Sequence, residues 1–349
     1  MKVLFISRVD ALTRPGGDTV QLQKTKQGLE RRGVDVRIGN IEESQFEWAD
    51  IIHIFNAQTP ERALPALKMA KNKGKKIALS TIWWDLKYAR LAYQLNKLNV
   101  MPNKFNKNLI NPSNWLFSVK EKEYLSNVAT VLDMADILLP NSEEEMEILS
   151  REFNLRSAKY LSVPNAVDDS IFSYNNHEGS GVICVARIEP TKNQLNLIKA
   201  MPENARLTLV GQGDRNSSYY KSVERLAYDS DVKIISDHKD QGEIAHLLGQ
   251  HKVHALPSFR ESPGLSSLEA LSVGLNVVVS DKIYCPVDTY FGSYLNKYAF
   301  ACDPFDKMDI SRALANALEV ASPSFEDTLA VPHWDEVAEK TLAAYHFLR

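Results

Sequence analysis

Short apolar runs alternate with polar and amphipathic segments along the whole chain. We predict buried strands at Val3–Ile6, Val34–Ile38, Ile51–Phe55, Ile77–Ser80, Ile137–Leu139, Lys159–Val163, Val182–Ala186, Arg206–Val210, Val232–Ile235, His254–Leu256 and Asn276–Val279. Continuous apolar strands that alternate with helices are typical of parallel sheets covered by helices on both faces. The pattern therefore predicts an α/β fold with doubly wound parallel sheets.

The helices are predicted from two kinds of signal. A regular apolar stripe with helical spacing occurs at Ile310, Ala313, Leu314, Ala317 and Leu318. The helix predicted over residues 19–32 has weak periodicity. It rests on Asp18 near its start and Gly33 just past its end.

The strand series is interrupted by the polar segment Val163–Phe172 and begins again at Val182. A chain of 349 residues is long enough for two domains, because a single core rarely grows beyond about 250–300 residues. We therefore predict two domains that meet in this segment. Ligands of doubly wound sheets bind at the carboxyl ends of the strands, so we expect the functional residues there.

Composition excludes several classes of protein. With 41 basic and 44 acidic residues, the net charge of −3 argues against a general nucleic-acid binder. Cys184, Cys285 and Cys302 have no CxxC spacing, which favours reduced buried thiols over disulfides or a zinc site. No apolar run reaches membrane-spanning length, so we expect a cytoplasmic protein, at most one attached to the inner face of the cytoplasmic membrane.

A glycine pair follows the first predicted strand. Gly16 and Gly17 would let a ligand approach the backbone, and the following helix N-terminus favours an anion such as phosphate. A simple strand–helix turn explains the same glycines equally well.

Two basic residues follow the first strand of the second series. Arg187 offers a bidentate fork and Lys192 a point charge, a suitable pair for a diphosphate. In isolation, two such residues are more often solvated in a polar loop.

Two glutamates flank a predicted helix start further along. Glu261 follows a strand, Gly264 permits close approach, and the helix begins near Ser266 with free backbone N–H groups that suit phosphate oxygens. Glu269 in the first turns of the helix could accept hydrogen bonds from a ribose. The helix dipole alone would also favour a glutamate there.

The joint pattern resembles glycosyltransferase family 4, the retaining GT-B group that includes glycogen synthase-like and mannosyltransferase-like enzymes. The resemblance rests on Glu261 and Glu269 as an E-x7-E motif, on Arg187 and Lys192 as R-x4-K, on the Gly16-Gly17 loop, and on the tail that starts at His333. It implies two Rossmann-like domains facing across a cleft. Residues 1–165 would be the acceptor-side domain, residues 166–328 the nucleotide-sugar donor domain, and residues 329–349 a helix that packs back on the first domain.

The resemblance also implies roles for individual residues. Glu261, Arg187 and Lys192 would be catalytic. Donor binding would involve Gly16, Gly17, Arg187, Lys192, His238, Gly264, Leu265, Ser266 and Glu269. Ser236 stands where the family usually has glycine, a departure next to His238, which would lie near the base. No metal and no cofactor are expected, and a nucleotide-diphosphate sugar, UDP favoured, would be the co-substrate.

One departure concerns the expected acid–base residue. Many family members have a histidine where this chain has Trp84, and an indole stacks on sugars but cannot shuttle protons. Asp85 or Asp10 could take over part of that role, the leaving phosphate could accept the proton, or activity could be lost. Trp83 and Trp84 could equally be core residues.

The implied activity is metal-independent retaining transfer of a hexose to a glycan or lipid-linked acceptor, in surface polysaccharide or glycolipid assembly. The main alternative is a catalytically silent GT-B protein that binds nucleotide-sugar or glycan, or scaffolds a partner. A phosphorylase or an epimerase would share the phosphate site. The basic, aromatic segment 87–122 is a candidate for peripheral membrane contact, with a solvated loop as the alternative. Asp229-Ser-Asp231 has the form of a metal-binding DxD motif but is better explained as a turn.

Overall fold

The computed structural model describes residues 1–11, 13, 16–109, 119–155, 157–176, 179–230, 232–328 and 330–349. Backbone contacts divide them into two compact units. Unit 1 comprises the described residues of Met1–Trp84, Leu116–Ala166 and Pro332–Arg349, and unit 2 those of Asp85–Trp115 and Val167–Val331.

Strands and helices alternate in both units. The strands are β1 (Lys2–Ile6), β2 (Asp35–Ile38), β3 (Ile51–Phe55), β4 (Lys76–Ser80), β5 (Ile137–Leu139), β6 (Val182–Val185), β7 (Leu207–Val210), β8 (Lys233–Ile235), β9 (Val253–Leu256), β10 (Asn276–Ser280) and β11 (Ala299–Cys302). The helices are α1 (Gly17–Arg31), α2 (Glu43–Trp48), α3 (Pro60–Asn72), α4 (Lys87–Lys97), α5 (Lys104–Leu109), α6 (Val119–Met134), α7 (Glu143–Phe153), α8 (Gln194–Ala200), α9 (Ser218–Asp229), α10 (Gln241–Leu248), α11 (Leu265–Val273), α12 (Val287–Phe291), α13 (Lys307–Glu319), α14 (Phe325–Thr328) and α15 (Trp334–Leu348).

The sheet of unit 1 is parallel, with the order β2-β1-β3-β4-β5. The strand predicted at Lys159–Val163 is wrong. This segment makes a single bridge, between Tyr160 and Leu138, and then runs past the end of β5. Pro164 follows immediately and has no N–H to donate, so a longer ladder cannot form.

The last helix returns to unit 1, which confirms the predicted crossing back. α15 packs along α1, where a β-carbon on Gly28 would lie 2.6 Å from that of Ala338. His53 in β3 joins this helix to the sheet: its Nδ1 shares a hydrogen bond of 2.6 Å with the Tyr345 hydroxyl, and its Nε2 lies 2.9 Å from Ser80 Oγ. All three side chains are buried.

The sheet of unit 2 is also parallel, with the order β11-β10-β9-β6-β7-β8. β11 was not predicted, because a four-residue run in which Phe300 is the only large apolar residue has no clear strand signature. The direction of winding reverses between β6 and β9. That reversal is the switch point at which doubly wound sheets bind ligands.

The two strands at the switch point separate early. β6 and β9 pair only at Val182–Val253 and Ile183–His254. Beyond these pairs, the N–H of Val185 donates instead to the imidazole Nε2 of His254 at 3.3 Å, and Nδ1 of that ring lies 3.3 Å from Ser267 Oγ. The buried histidine therefore satisfies a backbone group that the ladder leaves unpaired.

Residues 85–109, with α4 and α5, belong to unit 2, although the chain around them builds unit 1. They fall within residues 1–165, which the resemblance predicts to be the first domain. The predicted division into an acceptor-side and a donor domain is a division by function and stays a prediction.

The buried histidines predict acid sensitivity. Burial lowers the pKa of His53 and of His254 to about 3. The unfolded chain has ordinary histidines with a pKa near 6.5, so below that pH it binds more protons than the native state. We expect stability to be complete above pH 6.5 and to fall towards pH 3, by about 2 kcal/mol per histidine at pH 5.

Hydrogen exchange between pH 5 and 8, read separately in the two units, measures this loss. His53→Leu should flatten the pH dependence of unit 1, and His254→Leu that of unit 2. His346→Leu, at an exposed position of α15, should leave both profiles unchanged. Equal pH profiles in the native protein and the three variants would contradict the assignment of the acid sensitivity to His53 and His254.

Candidate functional site

The loops after β6 and β9 carry the residues singled out from the sequence. The loop after β6 contains a short 3-10 turn at Pro190–Lys192, and the loop after β9 leads into α11. A hydrogen bond of 2.9 Å from the N–H of Phe259 to the carbonyl of Thr191 ties the two loops together. The carboxyl ends of the two diverging strands are therefore held at a fixed separation.

Lys192 and Glu261 meet in this site. Lys192 Nζ lies 2.6 Å from Glu261 Oε1, and the two side chains are 18% and 10% exposed. The backbone N–H of Glu261 donates to the carbonyl of Tyr284 at 2.8 Å. A carboxylate and an ammonium that are both shielded from water form a directed pair, rather than two solvated surface charges.

Asn193 is a residue that the sequence analysis missed. Its backbone is left-handed, with φ of 61°, and it connects the 3-10 turn to α8. Its side-chain amide donates to the carbonyls of Pro257 and Pro304 at 3.0 and 2.8 Å. Asparagine is one of the few residues that adopt this conformation readily, and its amide fixes the end of β9 relative to Lys192.

Arg187 has a different environment from Lys192. Its side chain is 69% exposed, and one guanidinium nitrogen lies 3.4 Å from Glu189 Oε1, which also accepts from the Thr191 hydroxyl. Its carbonyl accepts from the Gln194 amide at 2.8 Å. The backbone is fixed, whereas the exposed guanidinium can reach an anion in solution.

The start of α11 provides backbone donors. Gly264 precedes the helix with φ of 88°, a conformation that favours glycine. Leu265 and Ser266 are the first residues of the helix, so their N–H groups have no acceptor within it. These donors and the helix dipole suit an anion.

Glu269 lies in the second turn of α11 and is partly buried. Within the part of the chain that the structure describes, its carboxylate has no hydrogen-bond or ion-pair partner. Burial raises the pKa of Glu269 to about 7. An unpaired carboxylate of this kind gains more from a ligand hydroxyl than one that is already paired.

His238 is exposed in the loop between β8 and α10. Its neighbour Ser236 accepts a hydrogen bond of 2.6 Å from Arg215, and Asp237 pairs with Lys239 at 2.9 Å. The loop lies at the same carboxyl edge of the sheet as Lys192. Its role in holding a base stays a prediction.

The predicted glycine loop of unit 1 begins α1. Gly16 precedes the helix in extended backbone, and Gly17 is its first residue. Arg8, which the sequence analysis did not single out, pairs with Asp10 and Asp18, each at 2.8 Å. These contacts, above all the hydrogen bond to Asp18, raise the pKa of Arg8. Asp10 is therefore engaged in an ion pair.

Trp84 and Asp85 have structural contacts. Trp84 is 1% exposed, which favours core packing over a sugar platform. Asp85 accepts from the N–H of Lys87 at 2.8 Å, and its second oxygen lies 3.2 Å from Lys87 Nζ. The buried carboxylate of Glu145, also missed from sequence, accepts from the N–H of Trp83 at 2.8 Å and from the Thr81 hydroxyl.

Aspartates of unit 2 neutralise some of the lysines in the basic segment 87–122. Besides Lys87, Lys104 pairs with Asp306 at 3.2 Å and Lys107 with Asp303 at 2.7 Å. Trp115 and Phe117 lie outside the described residues. Membrane contact by this segment stays a prediction.

The metal, membrane and cysteine predictions can be compared with the described residues. Among the described residues, no group of three or more His, Cys, Asp or Glu side chains is arranged to hold a metal ion. Asp229 is the last residue of α9, and Asp231 lies outside the described residues. None of the helices that the structure describes is long and apolar enough to cross a membrane. The three cysteines are buried thiols outside any disulfide, as expected.

The Asn193 amide predicts a local stability effect. Asn193→Gly keeps the left-handed backbone but leaves the carbonyls of Pro257 and Pro304 without this donor, which we expect to cost about 1–3 kcal/mol. Asn296 has the same φ of 61° and no side-chain hydrogen bond among the described residues, so Asn296→Gly is the matched control. Urea unfolding of both variants measures the difference. An equal effect would mean that the amide contributes nothing.

Comparison with known proteins finds a family match that includes the loops of this site. Residues 168–324 match the family model "Glycosyl transferases group 1". The D-inositol 3-phosphate glycosyltransferase of Corynebacterium glutamicum is 24% identical over an alignment that covers 43% of this chain and 42% of that protein. This chain therefore spans less than half the length of that relative.

Solved structures match over the whole chain. Sucrose-phosphate synthase from Thermosynechococcus elongatus has a TM-score of 0.75 at 14% identity, covering 100% of this chain and 99% of its own. The trehalose-6-phosphate structure from E. coli bound with UDP-2-fluoro glucose has a TM-score of 0.62 at 11% identity, covering 100% and 99%. Likeness at these identities shows the fold alone: the chain has two parallel-sheet α/β units of the GT-B type, and residues 168–324 of the second are similar to the group 1 glycosyl transferases.

Proposed function

We propose that this chain transfers a sugar from a nucleoside-diphosphate sugar to a glycan or lipid-linked acceptor, with retention of configuration and without a metal ion. The observation that carries the proposal is the shielded Lys192–Glu261 pair at the switch point of the group 1 domain. Surface polysaccharide or glycolipid assembly is the setting that we propose for it.

The diphosphate is the group that these residues suit best. When the sugar–phosphate bond breaks, negative charge develops on the leaving diphosphate. Lys192, the exposed guanidinium of Arg187 and the N–H groups of Leu265 and Ser266 are cations and dipoles that can stabilise this charge. Donors already fixed by folding need little reorganisation during the reaction, which is why they favour the transition state.

Glu261 is proposed to contact the transferred sugar. Its carboxylate is oriented by Lys192 and its backbone by Tyr284. A double displacement would need a carboxylate nucleophile next to the anomeric carbon, and an oxygen of Glu261 is already engaged by the ammonium. We therefore assign Glu261 to sugar binding and propose that the acceptor attacks on the face that the diphosphate leaves.

Glu269 is proposed to accept hydrogen bonds from the ribose, since its carboxylate has no partner among the described residues. His238 would lie near the base. UDP is the nucleotide that we favour, with support from the E. coli neighbour bound with UDP-2-fluoro glucose.

A second candidate function has an observation in its favour. Asp10 and Asp85 are both engaged in ion pairs, and Trp84 is buried where an acid–base residue was expected. A protein that binds nucleotide-sugar without turning it over would fit these contacts. Release of free sugar or transfer from a panel of nucleotide sugars would identify the enzyme. Tight binding of a donor that persists uncleaved would identify the silent protein.

Ribose binding by Glu269 predicts a pH dependence. Burial raises the pKa of Glu269 to about 7, and hydrogen bonds from ribose favour the ionised form, so binding should lower this pKa. The affinity for UDP should therefore fall as the pH drops below 7, by up to about tenfold per pH unit. Calorimetry between pH 6 and 8 measures it.

Glu269→Gln is the matched control, since the amide keeps the shape without titrating. Protonation of the phosphate is common to both proteins and cancels in the comparison. 2′-Deoxy-UDP should lose affinity against the native protein more than against the variant. A pH profile that is the same in the two proteins would reject the assignment.

Thermal unfolding with UDP, GDP, ADP, TDP and CMP tests the donor site directly. A ligand at a hundredfold excess over its Kd stabilises the native state by about 2.7 kcal/mol. We expect a shift with one diphosphate, lost in Lys192→Ala and retained in Lys199→Ala, which removes an exposed lysine of α8. An equal shift in both variants would contradict phosphate binding by Lys192. No shift with any nucleotide would contradict the donor site.

A further inference from the structure

Residues 85–109, called the strap below, lie against the loops that carry the candidate site. α4 of the strap packs on the Pro190–Lys192 turn. Its buried residues Leu91, Ala92 and Leu95 form one apolar cluster with Phe259, Tyr284 and Phe305 of the loops after β9, β10 and β11. The strap therefore forms part of the support beneath Lys192 and Glu261, although it lies far from both in sequence.

Lys107 of α5 is held in an aromatic cage. Its ammonium lies 5.6, 5.3 and 5.7 Å from the ring centroids of Tyr88, Tyr284 and Phe305, and 2.7 Å from Asp303 Oδ2. The Lys107 side chain is 16% exposed and that of Asp303 19%. Most lysines keep the ammonium in water. The loss of solvation at Lys107 must therefore be offset by its contacts with the rings and with Asp303.

The contacts of Asp303 lead to the site. Its second oxygen, Oδ1, accepts from the Tyr284 hydroxyl and from the N–H of Phe305, both at 3.0 Å. The carbonyl of Tyr284 in turn accepts the N–H of Glu261 at 2.8 Å. One tyrosine thus touches the caged ammonium with its ring, the aspartate with its hydroxyl and the site glutamate with its backbone.

A second set of contacts fixes the same loop. The Asn196 amide donates to the carbonyl of Pro102 in the strap at 2.9 Å and lies 3.3 Å from that of Pro304. Asn193, next to Lys192, donates to the same Pro304 carbonyl. Displacement of the 303–306 loop would therefore disturb both members of the Lys192–Glu261 pair.

We propose that Lys107 is a positioning residue: caged on the strap and paired with Asp303, it holds Tyr284, and through Tyr284 the backbone of Glu261, in place beside Lys192. The expected loss of turnover rests on the proposed function, whereas the expected movement of the loop does not. Loss of the ammonium leaves Asp303 shielded from water without a cation. Because an uncompensated buried charge is strongly destabilising, we expect the 303–306 loop to move. Small displacements of a positioned group lower turnover more than binding.

The decisive comparison is between Lys107→Met and Lys104→Met. Lys104 lies on the same short helix and also pairs with an aspartate, but its side chain is 66% exposed. Hydrogen exchange is the first measurement, because it needs no substrate. We expect the amides of Phe259 and Glu261 to exchange at least fivefold faster in Lys107→Met than in the native protein, and at the native rate in Lys104→Met.

Kinetics are the second measurement. We expect kcat for sugar transfer to fall at least tenfold in Lys107→Met with the donor KM within threefold, and Lys107→Arg to restore most of the loss. Absence of turnover in the native protein would overturn the proposed function, and the exchange rates would still decide on Lys107. Native exchange at residues 257–264 in Lys107→Met would overturn the positioning role.

Tyr284→Phe covers the case in which Lys107→Met does not fold. This variant removes only the hydroxyl bond to Asp303 and keeps the ring of the cage. Faster exchange at Glu261 in this variant would support the chain of contacts. Exchange at the native rate would overturn it.

Discussion

The early separation of β6 and β9 is the constraint on which the candidate site depends. Two parallel strands that part after two residue pairs leave backbone groups to be satisfied in another way. His254 accepts the N–H of Val185, and further out the carbonyl of Thr191 accepts the N–H of Phe259. The two strands are thus separated at their carboxyl ends, and the loops that follow them are joined again by a hydrogen bond. Lys192 and Glu261, which lie just beyond this bond, therefore meet at a fixed distance.

The sequence predicted most of this fold because local signals suffice for parallel α/β proteins. Apolar runs located ten of the eleven strands described, and the order of motifs singled out Lys192, Glu261 and Glu269 as candidates. The strand expected at Lys159–Val163 is wrong because hydrophobic periodicity does not report what a segment pairs with, and Pro164 ends the pairing. β11 was missed because small residues in a short strand have no distinctive pattern.

Residues that act through distant contacts could not be found in this way. Asn193 carries a local signal, an asparagine between two helical segments, but its two carbonyl partners lie 64 and 111 positions away. Lys107 looks like one charge in a basic segment, and only folding brings it to Tyr88, Tyr284 and Phe305. Residues 87–109, part of the segment proposed for membrane contact, instead pack against the loops of unit 2.

The two glutamates of the E-x7-E motif show how environment separates identical side chains. Glu261 lies before the helix and is paired with the ammonium of Lys192. Glu269 lies within the helix without a partner among the described residues, and burial raises its pKa to about 7. The first carboxylate already has a partner in the folded chain, whereas the second is open to a hydrogen-bond donor. The motif therefore combines one carboxylate held by an ammonium with one whose pKa burial raises, which agrees with the different roles, sugar binding and ribose binding, that we propose for them.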